Sequence, residues 1–594
     1  MRSNLTKWIP LVGVVFLLVA VAIANVIPPA PRYEISLYGA YPPYFWIIFL
    51  GATFAGALTI LRCVSRPADS SWVFGVWLMI LSSALLLLLP FARGYYMYIR
   101  GDPLTHLGYT IDILNAGEPI GNIYPPIHLL AVALASATGF ELRTIAMLVP
   151  FVLSMLYFGG MFYLVSSIFE SRRRILIALP FVLLPILRYA HPEFRPFGVA
   201  VMLIPVLFYL FVRGQRTNAP QVRVAFVTVL IGVILYHPLT GLFVTAIFAL
   251  WVAGRYIPSI QTLNSRPTHV VSLSAVVFLA WYSNFTEIIL RFDSVYESLF
   301  GAGGGETPAD SYSQTLEQAS PAVLDLLRVA TFRFGIEALL FSLGFVLVGT
   351  IAYLAVRREY PVDVYMLVLG GTLATFSFGG LAFLLSDLIV PHYRPFQIAK
   401  ISSALIAGQL FYLMWHRFEL GRDRSEIRTL VGVALIATLL VLATFSTVGV
   451  HHSPIESESN QQVTEMKFSG AAWITEHGTA TDNALRVGVQ KYRFHNALYG
   501  AGTTSPHFPR ENTDDAPPRF RYDERPYVGD NYAEDQYILV DHRIRIFYQE
   551  VYPNYEDQWR YTPADFERLE EDRTVTRVYD NGDSTQYLVR GTAG

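Results

Sequence analysis

Thirteen apolar stretches divide the first 450 residues, at roughly 9–29, 44–61, 73–90, 143–169, 175–190, 196–213, 223–236, 239–256, 268–290, 336–356, 362–385, 396–416 and 429–449. A bilayer core about 30 Å thick requires about 20 residues of helix to cross it, and a single spanning segment must satisfy its own backbone, which only a helix does. Most of the stretches reach that length, although 223–236 is short. Charged residues make up only 15% of the 594, where soluble chains carry about 25%. The expected fold is therefore an all-α polytopic membrane part with about thirteen spans. A single cysteine, Cys63, excludes a disulfide framework and any multi-cysteine metal site, so helix packing alone must hold the fold.

Arginines in the short connections set the expected orientation. Arg62 and Arg66, Arg172 to Arg174, Arg213, Arg216 and Arg223, Arg357 and Arg358, and Arg417, Arg422, Arg424 and Arg428 all fall on one side of the thirteen spans. The positive-inside rule makes that side cytoplasmic together with the N-terminus, and an odd number of spans places everything after residue 450 outside, in a cell membrane. The first stretch, with Arg2 and Lys7 ahead of it, reads as a retained anchor rather than a cleaved leader. Residues 125–139 are apolar but too few to span, which suits an interfacial or re-entrant helix.

Residues 1–450 thus read as one membrane domain and 451–594 as a separate small α+β domain. After the polar linker "HHSPIESESNQQ", the segment "FSGAAWITEHGTA" has helical spacing and stops at Gly478, while "LRVGV", "QYILV", "TVTRVY" and "TQYLV" alternate like strands. Asn581-Gly582 between the last two is a hairpin signal. Residues 505–535 read as a long surface loop, and the Gly-rich run in 291–330 as a mobile loop without a phosphate-cradle motif. From residue 451 onward 24 acidic side chains face 15 basic ones, and the whole chain has four lysines among its 44 basic residues. That acidic, arginine-dominated balance suits brine and repels nucleic acid, which is excluded as a partner.

Chemistry concentrates between the spans. The loop 91–125 contains "YIRGDPLTHLGYTIDILNAGEPIGNIYPP", a polar segment that a membrane protein retains only where it lines a wet cavity. A helix beginning at Asp102 places His106 and Tyr109 on the same face, an acid beside a histidine that suits a catalytic base. The same Asp-Pro pair also suits a plain helix cap. Asp112, Tyr124 and His128 complete that region as possible substrate-lining groups. Two turns on the same side, "RYAHPEFRPFGVA" and "SDLIVPHYRPFQIAK", crowd Arg188, His191, Glu193 and Arg195, then Asp387, His392, Arg394 and Lys400, around a shared Arg-Pro-Phe. Arginines on the non-cytoplasmic side run against the positive-inside bias, and guanidinium grips phosphate oxygens bidentately, so a lipid phosphate is the natural partner. An internal ion pair such as Glu193 with Arg195, or headgroup anchoring, is the competing account. Glu193 is a further substrate-lining candidate, and His237 in "LYHPLTGLF" is another or else a core or cap residue.

Taken together, "GDPLTHLGYTIDIL", "YPPIHLL", "HPEFRPFGVA" and the small tail opening "GAAWITEHGTATDNALRV" resemble the GT-C membrane glycosyltransferases over residues 70–450 and beyond. Within that superfamily the chain looks like the haloarchaeal dolichyl-phosphate-mannose mannosyltransferases of surface-glycoprotein N-glycosylation. The resemblance implies an inverting hexosyltransferase that takes a sugar from a dolichyl- or polyprenyl-phosphate carrier in the membrane lipid and passes it to a glycan or glycoprotein acceptor. Asp102 matches the catalytic base, assisted by His106, and Arg195, Arg394, His191, His392 and Lys400 are the donor-phosphate candidates. The membrane part lacks the paired acids one residue apart, and the tail the WWD-type motif, of the metal-dependent oligosaccharyltransferase branch. A monophosphate-linked donor and no required cofactor or metal are the corresponding expectations. Two spans precede the usual start of the shared core. A flippase of lipid-linked sugars and a non-catalytic envelope protein are the rival classes.

Overall fold

The computed structural model describes residues 8–592 apart from 67, 120, 218, 255, 257–266, 292, 294–306, 320–321, 358–362, 387–389, 418–424, 479–482, 489–490 and 503–512. Asp387 and most of the Gly-rich run of the 291–330 loop lie outside the described residues. Apart from the single turn Leu37–Ala40, the α-helices of the helical part are α1 (Ile9–Val26), α2 (Pro43–Arg62), α3 (Trp72–Ala92), α4 (Asp102–Ala116), α5 (Pro125–Thr138), α6 (Leu142–Ile168), α7 (Arg172–Val182), α8 (Pro196–Arg216), α9 (Pro220–Tyr236), α10 (Pro238–Gly254), α11 (Pro267–Tyr282), α12 (Pro308–Ala319), α13 (Val323–Val356), α14 (Val364–Leu384), α15 (Tyr393–Arg417) and α16 (Ser425–Val448).

Each of the thirteen apolar stretches forms a helix, but among the described residues nine are long and apolar enough to cross a membrane: α1, α2, α3, α6, α8, α13, α14, α15 and α16. The chain is a multi-pass membrane protein. The stretches at 175–190, 223–236, 239–256 and 268–290 give the shorter helices α7, α9, α10 and α11. For α7 the cause is local. Pro185 cannot continue a helix and disfavours helical backbone at the residue before it, so α7 ends at Val182 and residues 183–187 run on as buried irregular chain. The interfacial segment forms α5, 14 residues long. Apolar side chains from α6, α7, α8 and α15 dominate the largest core cluster, with Tyr157, Phe158, Phe181 and Phe248 fully buried.

The C-terminal module contains α17 (Glu465–His477), α18 (Lys491–Tyr499), α19 (His542–Val551) and α20 (Pro563–Glu571) around a five-stranded sheet. Its strands are β3 (Asn483–Val487), β4 (Thr513–Asp515), β5 (Gln536–Asp541), β6 (Val575–Asp580) and β7 (Ser584–Val589), in the order β4-β3-β5-β7-β6. β3 runs parallel to β4 and β5, and the β6–β7 hairpin closes on Gly582 at φ 95°, as its Asn-Gly signal requires. The expected 505–535 surface loop is corrected from residue 513 onward. β4 joins the sheet, and Phe520, Tyr522 and Val528 enter the module's core because aromatic and aliphatic side chains outweigh the local polarity.

Two joints fasten the module to the helical part. β1 (Met97–Tyr98) pairs antiparallel with β2 (Gln462–Val463), and α18 lies against α4. The second joint depends on a missing side chain: a Cβ on Gly108 would stand 2.4 Å from the Asn496 carbonyl oxygen, so only glycine permits the approach. Asp112 closes the same joint by accepting from the backbone N–H groups of Ala501 and Gly502, both at 2.9 Å.

Candidate functional site

A cavity of about 550 Å³ lies beneath the module, and Asp102, His106, Tyr124, Arg195, His237 and Arg394 all line it. The sequence positions span almost 300 residues, and the reason they meet is shared local chemistry. Asp102-Pro103, Tyr124-Pro125, Arg195-Pro196, His237-Pro238 and Arg394-Pro395 each stand at the head of a helix, α4, α5, α8, α10 and α15. Proline is preorganised for the first helical turn and has no N–H to leave orphaned, so each pair fixes a helix start with a polar side chain at its mouth. Five positive helix ends around one cavity add to its arginines in favouring an anion.

Asp102 does not serve as a side-chain cap. It is the first residue of α4, its side chain makes no capping hydrogen bond, and Gly101 at φ 94°, ψ −133° occupies the cap position in backbone that only glycine adopts readily. Its carboxylate is 43% exposed and faces two arginines, Arg493 at 2.7 Å and Arg195 at 3.4 Å. Arg195 is also held by the buried Glu193 at 2.8 Å, so the internal pair and the cavity contact coexist. Arg394 lies over the Phe197 ring at 5.1 Å, and among the described residues no carboxylate is within ion-pair distance of it. The Nε atoms of Arg195 and Arg394 are both buried with no hydrogen-bond partner among the described residues, a condition that costs free energy unless a ligand answers it.

A hydrogen-bonded chain sets the protonation of His106. The Tyr124 backbone N–H must donate, and it donates to Asn122 Oδ1 at 2.9 Å, so Asn122 presents its Nδ2 hydrogens to His128 Nδ1 at 2.8 Å. His128 Nδ1 is then the acceptor, and its proton sits on Nε2, which donates to His106 Nδ1 at 3.1 Å. Burial, reinforced by the charges of Arg195 and Arg493, pushes His106 down to about 3 from the usual 6.5, keeping it neutral. A neutral His106 that accepts at Nδ1 carries its hydrogen on Nε2, which makes it a donor toward the cavity rather than a second base.

The remaining substrate-lining candidates divide between the cavity and the interior. His128 is fully buried behind His106, Asp112 belongs to the module joint, and Glu193 lies under Arg195. His237 lines the cavity, accepts at Nδ1 from the Leu239 N–H at 3.2 Å, and stacks on Tyr124 with ring centroids 5.5 Å apart. Three of the five donor-phosphate candidates are not at this cavity. His191 is completely buried against Ser154 Oγ at 3.0 Å, Lys400 pairs with Glu337 at 2.9 Å in the helix core, and His392 lines a separate crevice of about 770 Å³ with Tyr548 and Trp559. All three lie near an Arg-Pro-Phe in sequence, but the turn geometry sends them away from the cavity. Sequence reasoning missed Arg493, Asn122 and Arg291 as lining residues. Asn122 stands beside the Tyr-Pro-Pro signal, whereas nothing local marks Arg493. Among the described residues no three His, Cys, Asp or Glu side chains converge as a metal-binding group.

No protein-family model and no curated protein matches this chain. Among solved structures it is similar to the Archaeoglobus fulgidus oligosaccharyltransferase tethered with an acceptor peptide, at 10% identity and a TM-score of 0.48, over 81% of this chain and 72% of that one. It is also similar to ArnT from Cupriavidus metallidurans bound to undecaprenyl phosphate, at 11% identity and a TM-score of 0.42, over 86% of this chain and 98% of that one.

Proposed function

We propose that this chain is a membrane glycosyltransferase that moves a sugar from a polyprenyl-phosphate carrier to a glycan acceptor on the outer face of the membrane. In the finer reading the donor is dolichyl-phosphate mannose and the acceptor belongs to protein N-glycosylation of surface glycoproteins. One observation carries the reading: a carboxylate, Asp102, and two arginines with unanswered buried Nε atoms, Arg195 and Arg394, share a single cavity. The sequence resemblance points to the same chemistry.

The reaction is a single displacement with inversion. Asp102 takes the proton from an acceptor hydroxyl as that oxygen attacks the anomeric carbon. The bond from that carbon to the phosphate oxygen breaks, and its electron pair leaves with the lipid phosphate. Arg195 and Arg394 hold the phosphate, whose negative charge increases as the bond breaks, so their contacts strengthen in the transition state. His106 Nε2–H donates to an oxygen of the bound sugar or phosphate, and Asp102 alone acts as the base.

The test is Asp102→Asn in a strain lacking the native gene, reading surface-glycan masses together with lipid-linked sugar pools. Loss of one sugar from the surface glycan, with its charged carrier accumulating on the outer face, is the expected result. Accumulation on the inner face would point instead to flipping of the carrier. An unaltered surface glycan in that strain would end the catalytic reading.

A further inference from the structure

A second cavity, of about 380 Å³, lies on the module side of Asp102, where the loop after β1 meets β2, α17, β3 and the start of α19. Five basic side chains line it, Arg100, Lys467, Arg486, Arg493 and Arg543, against two carboxylates, Asp515 and Asp541. The carboxylates are already committed. Asp515 pairs with Arg486 at 2.5 Å, and Asp541 is shared between Lys467 at 3.0 Å and Arg543 at 3.8 Å. Arg100 is bound only to a neutral amide, donating to Gln461 Oε1 at 2.9 Å, and among the described residues no carboxylate is within ion-pair distance of it. Arg543 is buried, its Nε stands 3.8 Å from Asp541 Oδ2, beyond hydrogen-bond reach, and its Nη atoms make only long contacts of 3.4 Å to Ser459 Oγ and the Gly488 carbonyl. Burial, reinforced by the charge of Arg543, pushes the Arg100 guanidinium down to about 10, with Tyr33, Asp541 and Glu458 offsetting part of the shift.

This cavity is continuous in its walls with the first. Arg493 lines both, its guanidinium touching Asp102 Oδ1, and Gly101, the residue before Asp102, forms part of the second wall. The carrier-phosphate arginines, Arg195 and Arg394, line only the first cavity. The two cavities therefore offer separate anion sites on either side of one carboxylate.

We propose that the second cavity seats an oxyanion of the acceptor, a phosphate or a sugar carboxylate, while a hydroxyl of the same molecule reaches Asp102. The acceptor is thus an anionic glycan, and Arg100 and Arg543 select it by charge before transfer. The inference rests on the transferase reading, but a binding measurement needs no turnover and so separates the two. Loss of transfer in Asp102→Asn without oxyanion binding overturns only the acceptor class.

The test uses the full-length protein in detergent micelles. Isothermal titration calorimetry reads binding of inorganic pyrophosphate and of D-galacturonate, with D-glucose as the neutral control. Saturable binding of at least one oxyanion is expected, and none of glucose. Arg100→Gln and Arg543→Gln should each weaken it about tenfold or more, the loss of one charge-assisted hydrogen bond, with undecaprenyl-phosphate binding unchanged. Arg100 lies in a loop, so its variant carries the test if Arg543→Gln fails to fold. A preference for pyrophosphate assigns the phosphate of a lipid-linked acceptor, and a preference for galacturonate assigns an acidic sugar. Equal binding of glucose, absence of saturable binding of both oxyanions, or oxyanion binding that survives Arg100→Gln and disappears in Arg394→Gln would overturn the proposal.

Discussion

Two groups of charged side chains on the module face of the helical part differ in how their charges are balanced. In the first, Arg188 meets Glu456 at 2.5 Å, each 4% exposed, and Lys400 meets Glu337 at 2.9 Å, so two cations answer two anions inside the protein. Arg188 also donates to the Phe332 carbonyl at 3.2 Å, and the absence of a side chain on Gly449 leaves room for it. In the second, around the first cavity, Arg195, Arg291, Arg394 and Arg493 outnumber Asp102, Glu287 and the Glu193 that pairs with Arg195. Buried ions cost several kcal/mol each unless paired, so the first group, whose charges match one for one although Arg188 Nε is also without a hydrogen-bond partner among the described residues, locks the linker to the helices. The surplus of the second is held near solvent by helix ends and suits an anion that arrives and leaves.

Four measurements sharpen or break that contrast. The largest expected effect is in the cavity: Asp102→Asn should lower sugar transfer by about 10² to 10⁴-fold, the range of a positioned general base, while the thermal midpoint stays near that of the parent. Glu456→Ala should do the opposite. Stranding Arg188 without its partner is expected to cost about 3–5 kcal/mol of stability, read as a lowered midpoint in detergent. If Glu456→Ala left the midpoint untouched, the self-contained account of the first group would fail.

Arg394→Gln should weaken polyprenyl-phosphate binding by about 1.5–3 kcal/mol, roughly 10 to 150-fold, without altering stability. An unchanged affinity would remove Arg394 from the donor site. The smallest effect concerns pH. His106 is depressed to about 3 in the folded chain from an ordinary 6.5, so the unfolded chain binds the extra proton between those values and stability falls as pH drops through that window. His106→Asn should flatten part of this acid-side decline in the midpoint. A decline of identical slope in parent and variant would mean that His106 does not contribute.

Much of the helical part was legible because hydropathy is a property of consecutive residues. Every apolar stretch became a helix, and Asn581-Gly582 became the turn of a hairpin. The misjudged ends have local causes that hydropathy averages away, as at Pro185, where a window of apolar residues hides a helix stop. The buried role of Phe520 and Tyr522 was hidden differently, because their charged neighbours in sequence are not their neighbours in space.

For the cavity, sequence supplied the polar residues standing before prolines, from Asp102-Pro103 to Arg394-Pro395, since a proline-headed helix start is written in two letters. Sequence alone did not distinguish Arg195 and Arg394, which face the cavity, from His191 and Lys400, which pack into the interior a few residues away. That choice depends on the direction a side chain leaves its turn, and tertiary packing sets it. The same holds for Arg493 and Arg100. Each is one arginine among 40 in the sequence; Arg493 reaches Asp102 only when α18 lies on α4, and Arg100, two residues before Asp102, gains its cavity only when β2 pairs with β1. The chain by itself determined that it would cross a bilayer as helices, because the cost of unsatisfied backbone in hydrocarbon leaves no alternative. Which charges would share a cavity was decided by helix and sheet contacts between residues hundreds of positions apart, a long-range pairing that no local pattern encodes.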